Sequence, residues 1–148
     1  MKTRLIAAGL LAGLASTASA QGGQTLDGAQ TFLTSVLPSA QMRLSGGDVQ
    51  GWDNWGDILN YQASGSCGFT FAAYHEPSYD WENGTNNGTR NFAHVAEVSR
   101  TGSEVRVAYS DAAIIDYYLL TSESMATRVA YAMDFMRMNC DATASTGF

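Results

Sequence analysis

The hydrophobic and polar positions sort the chain into a helix, a series of short strands and a second helix. Ala29, Phe32, Leu33, Val36 and Leu37 recur at intervals of three and four behind Asp27. That spacing predicts a short amphipathic helix, capped by Asp27 and stopped by Pro38. A brief strand is expected over 41–44, ended by Ser45-Gly46-Gly47-Asp48. ILNYQA (58–63) and CGFTFAAY (67–74) flank Ser64-Gly65-Ser66, the pattern of a strand hairpin around a short glycine-containing turn. HEPSYDWENGTNNGTR, from His75 to Arg90, is dominated by turn formers and predicts a long exposed loop. NFAHVAEVSR (91–100) and EVRVAYS (104–110) surround Thr101-Gly102-Ser103, and Val105, Val107 and Tyr109 alternate as strand residues do. AIIDYYLL (113–120) reads as a further strand, rich in β-branched and aromatic side chains. Thr121 or Ser122 then caps a final helix that ends in MATRVAYAMDFMRMNC, with Glu123 in its first turn.

The expected fold class is α+β. It is an antiparallel sheet or partial barrel of five to six strands, with a short N-terminal helix and a long C-terminal capping helix. Strands this short, joined by turns, exclude a parallel sheet, which needs long crossovers. The apolar face of the sheet needs a cover, and the last helix is the available one.

That helix has two apolar faces. At 100° per residue, Met125, Val129, Met133, Met136 and Cys140 share one stripe, with Ala126 and Ala132 at its edges. Tyr131, Phe135 and Met138 lie on the opposite side. The first stripe should lie on the sheet. The second admits two readings: the first helix packs over it through Phe32, Leu33 and Val36, or it is a patch for a protein partner or a second copy of the chain.

The first twenty residues change the compartment. MKTR is a basic start, LIAAGLLAGLA is apolar, and Ala18-Ser19-Ala20 supplies the small-x-small pattern of a signal-peptidase site. The apolar run is shorter than the roughly 20 residues a spanning helix needs. Residues 1–20 are therefore expected to be a signal peptide and 21–148 one domain, exported to the periplasm or beyond the cell without a membrane span. Six arginines and no lysine then face fourteen carboxylates, a net charge of about −8 that disfavours nucleic acid and anionic lipid surfaces. Cys67 and Cys140 are the only cysteines, and an even count in an exported chain predicts a disulfide between them. Its loop of about 74 residues would contribute roughly 4 kcal/mol in the chain-entropy model.

FAHVAEVSRTGSEVRVAYS followed by IIDYYLLTSESMATRVAYAMDFM resembles the last part of the pleckstrin-homology-like fold. There a hairpin and one more strand lead into a C-terminal helix that plugs a β-barrel. The resemblance covers about 55 residues as a pattern rather than a motif. The basic loop between the first two strands of phosphoinositide-binding members has no counterpart here, Arg43 being the only candidate cation, and the final helix has no tryptophan. The resemblance therefore implies a fold and not lipid recognition. The ending AMDFMRMNCDATASTGF is also similar to that of small exported bacterial proteins without an assigned role.

No catalytic set and no cofactor is read from the residues. His75 and His94 have no ligand spacing that would make a metal site with Asp80 or Glu82, and no P-loop, Rossmann, G-x-S-x-G or H-E-x-x-H motif is present. Trp52 and Trp55 lie beside Asp53 and Asp57, and Tyr79 and Trp81 beside Asp80 and Glu82. Rings next to carboxylates can stack on sugars and bond their hydroxyls, so Trp52, Trp55, Tyr79 and Trp81 are candidate glycan contacts. Paired carboxylates about 5–9 Å apart would be needed for hydrolysis. The first expectation is an exported, non-catalytic binding or interaction protein. The alternatives are a carrier of a small apolar ligand beneath the methionine-rich helix face and an envelope protein that binds or cleaves glycans.

Overall fold

The computed structural model describes residues 24–45, 54–75, 84–110 and 114–140. The chain begins with α1 (Leu26–Val36), whose first turn is capped by Thr25 Oγ1, which accepts from the Gly28 N–H at 3.0 Å. Asp27, the expected cap, sits instead inside that first turn, two residues past Thr25. Pro38 falls within a 3₁₀ turn, Leu37–Ser39, that ends the helix.

Seven strands follow among the described residues: β1 (Gln41–Ser45), β2 (Gly56–Ser64), β3 (Gly68–His75), β4 (Gly84–Asn91), β5 (Val95–Thr101), β6 (Glu104–Tyr109) and β7 (Ile115–Leu119). The last element is α2 (Glu123–Cys140), and Ser122 Oγ accepts from the Met125 N–H at its start. The strands make one open antiparallel sheet in the order β4-β3-β2-β1-β7-β6-β5. The first and last strands thus meet in the middle, β1 pairing with both β2 and β7.

The strand count corrects the expected five to six. The additional strand is β4, inside the stretch read as a long loop. It pairs with β3 over eight positions from Gly68↔Asn91 to His75↔Gly84. Its sequence, GTNNGTRN, has no apolar residue, so hydrophobic alternation could not reveal it. The strand expected from Asn91 starts later, because Phe92–His94 forms a 3₁₀ turn before β5.

The sheet is bent upon itself. Four strand spacings of about 4.8 Å would separate β4 from β7 by about 19 Å in a flat sheet. Yet Arg90 on β4 reaches Asp116 on β7 directly, Nε to Oδ2 at 2.6 Å. The core fills the concave side with Tyr61, Phe69, Phe71, Met42, Val105, Val107 and Tyr118. Rings of Tyr61 and Phe69 lie 4.9 Å apart between centroids, and those of Phe69 and Phe92 5.5 Å apart edge to face.

Helix α2 covers this core with Ala126, Val129, Ala132, Met133, Met136 and Cys140. Its end is bonded to the β2–β3 turn by the Cys67–Cys140 disulfide, with Cα atoms 5.6 Å apart. Cys67 lies in that turn rather than at the start of a strand. The same turn is held by α1: the buried Gln30 amide donates to Gly65 O at 2.8 Å and Gly68 O at 3.4 Å. Gly65 occupies a left-handed conformation, φ 68°, that a side chain would strain.

Candidate functional site

Three features carry the chemistry of the described residues: the outer side of α2, an arginine stacked over β1 and β7, and a polar cluster inside the bend of the sheet.

On α2 the inward stripe is buried, which leaves the opposite side to solvent. Tyr131 is 65% exposed and Met138 53%. Phe135 is half-buried and packs against the core. Helix α1 explains that difference. The Arg128 guanidinium on α2 lies over the Phe32 ring of α1, 4.8 Å from its centroid. Phe135, seven residues on from Arg128, faces the same side of the helix. Helix α1 therefore flanks one shoulder of the second stripe and leaves Tyr131 and Met138 uncovered. Of the methionines in the helix, Met133 and Met136 are fully buried in the core.

Trp55 precedes β2 and is half-buried against Arg43, whose guanidinium lies 5.2 Å from the Trp55 ring and 4.3 Å from the Tyr117 ring. Arg43 also approaches Glu104 at 3.9 Å. This stack fastens the chain entering β2 to β1 and β7. Trp52, Tyr79 and Trp81, the other candidate glycan contacts, lie outside the described residues. So do Glu76, Asp80, Glu82 and the His75 side chain, while His94 is exposed. Among the described residues no group of three or more His, Cys, Asp and Glu side chains is placed to hold a metal ion. No described helix is long and apolar enough to cross a membrane.

The polar cluster was not anticipated. Asp116 is fully buried, and Arg90 grips it with two bonds, Nε–Oδ2 at 2.6 Å and Nη2–Oδ1 at 2.9 Å. Phe71 and Tyr109 stack on the guanidinium at 4.9 and 5.5 Å. Tyr118 donates to Asp116 Oδ2 at 3.3 Å. The hydroxyls of Tyr61 and Tyr109 are also buried here and make no hydrogen bond of good geometry. Burial first, and the Asp116 charge with it, push Tyr61, Tyr109 and Tyr118 above the usual tyrosine range. Burial opposes the Arg90 charge, but bonding to Asp116 outweighs it and holds the guanidinium protonated more firmly than usual. The available signal was Asp116 itself, a carboxylate within the apolar run IIDYYLL. Its partner lay hidden in the stretch read as a loop.

No family model matches the chain, and no characterised protein matches it by sequence. A solved structure titled as the PH domain from PfAPH is similar in fold. The two share 7% of residues with a TM-score of 0.54, over 81% of this chain and 98% of that one. At that identity the likeness is one of architecture.

Proposed function

We propose that this chain is an exported, non-catalytic binding protein, and that the outer side of α2 engages a protein partner. The observation that carries this reading is the exposure of Tyr131 and Met138 on a helix whose other side is locked into the core. Two large apolar side chains standing clear of a rigid helix are the material of an interface anchor, since aromatic residues and methionine are enriched where proteins meet. Rigidity lowers the ordering cost of binding, and here it comes from the disulfide at the helix end and from Gln30 beside it. The disulfide supports an oxidising compartment, in keeping with the signal-like start of the chain.

The test is site-specific photo-crosslinking in the native host. A photoreactive residue at Tyr131 is expected to give a discrete adduct, and the same residue at Glu97, exposed on β5, is expected to give none. Equal labelling at both positions, or no adduct at Tyr131, would remove the reading.

A further inference from the structure

We propose that the outer face of β2, β3 and β4 is a binding groove for a neutral oligosaccharide. The register sets two rows across these strands. One is Asn60–Ala72–Asn87 and the next is Gln62–Thr70–Thr89. Asn60, Thr70, Ala72, Asn87 and Thr89 line a depression of about 280 Å³, with Phe71 and Gly88 beneath them. The volume is close to the lower bound for small-molecule sites.

The lining chemistry selects the ligand. In a chain of formal net charge −6, these seven residues include no charged side chain. What they offer are amides, each a donor and an acceptor, and hydroxyls, which serve as either. That set matches the vicinal hydroxyls of a neutral sugar and gives no counter-charge to a phosphate or a carboxylate. Geometry points the same way. Asn60 and Asn87 flank Ala72 from adjacent strands on either side, so their backbones stand about 10 Å apart. The methyl of Ala72 between them leaves a low floor with an amide on each wall. Tyr74, two residues along the same face and one row beyond the lining, is 38% exposed. Among the described residues of this face, the carboxylate of Asp57 opposite Tyr74 accepts from the Gln41 amide at 2.9 Å.

This groove differs from the glycan contacts suggested by the tryptophans, and it stands independently of the α2 surface. The test uses the full chain expressed in a bacterium, so that Asn87, which opens the N-x-T sequence Asn87-Gly88-Thr89, carries no glycan. Neutral gluco-, manno- and chito-oligosaccharides are titrated while the side-chain amide resonances of Asn60 and Asn87 are followed, with oligogalacturonate as the acidic comparison. Saturable shifts with a neutral series are expected. Asn60→Ala and Asn87→Ala should each weaken that binding about fivefold to tenfold, the loss of one to two hydrogen bonds. Both positions are exposed, so the variants should keep the parent thermal midpoint, and Tyr131→Ala should bind as the parent does. No shift with any neutral series at millimolar concentration would overturn the proposal. So would preferred binding of the acidic sugar, or affinity unchanged in both asparagine variants. Failure here leaves the crosslink at Tyr131 untouched, so the two readings fall separately.

Discussion

Asp116 shows how one residue can hold two halves of a sheet together. A carboxylate with no exposed surface is costly unless paired, and its partner comes from a strand four positions away in the sheet. Truncating Arg90→Ala would leave that charge buried without its guanidinium and should cost about 3–5 kcal/mol in denaturant unfolding. The double change Arg90→Met with Asp116→Leu removes both charges and should recover most of the loss. If the single and double variants were equally unstable, the ion pair would not be the source of the effect. The three tyrosines make a second residue-level prediction. Their pKa values are raised in the folded chain, so unfolding favours losing their protons at high pH. The stability they contribute is complete below the ordinary tyrosine value of about 10 and is lost as pH rises above it. Absorbance titration should therefore show Tyr61, Tyr109 and Tyr118 ionising only together with loss of structure. Replacing the three with phenylalanine should remove the coupled phase.

At the level of elements, legibility in the sequence followed apolar periodicity. Helix α1, the β2–β3 and β5–β6 hairpins, β7 and α2 all carry it, and each stands within a few residues of where the pattern puts it. Strand β4 does not, for a physical reason. Its inward positions are Gly84, Asn86, Gly88 and Arg90 instead of apolar side chains. The Phe71 ring fills the space at Gly88, where even an added Cβ would collide with it, and Arg90 satisfies its charge on Asp116. The core thus continues under β4 with side chains borrowed from β3 and β7, which no local pattern records. The disulfide was legible because only one pairing existed. Its place in the fold adds a consequence. The β2–β3 turn receives Gln30 from α1, Cys140 from α2, and the Phe92 N–H on the Cys67 carbonyl at 2.9 Å. Closing a loop across a sequence separation of 73 should contribute roughly 4 kcal/mol. Cys67→Ser with Cys140→Ser should lose about that much in denaturant unfolding, and hydrogen exchange should rise first in the last turn of α2. Unchanged protection there would show that packing alone holds the helix end.

For the whole molecule, the bent sheet, the bridge across it and the helix stapled over it leave surfaces with different tasks. The inward stripe of α2 is committed to the core, so Met136→Asp should prevent folding by burying an unpaired charge. Tyr131 and Met138 on the other side carry no such duty. Tyr131→Asp with Met138→Asp should leave the unfolding free energy within about 0.5 kcal/mol of the parent, as surface changes do. The same pair should abolish whatever association the helix supports. Size-exclusion over a wide concentration range separates the two kinds of partner. If the occupant is a second copy, the parent chain should shift to a dimer with rising concentration and the double variant should not. If it is another protein, both chains should remain monomeric alone, and only the parent should retain the crosslinked adduct. A double variant that loses stability as Met136→Asp does would mean that both sides of α2 belong to the core, and the interface would have to be sought on another face.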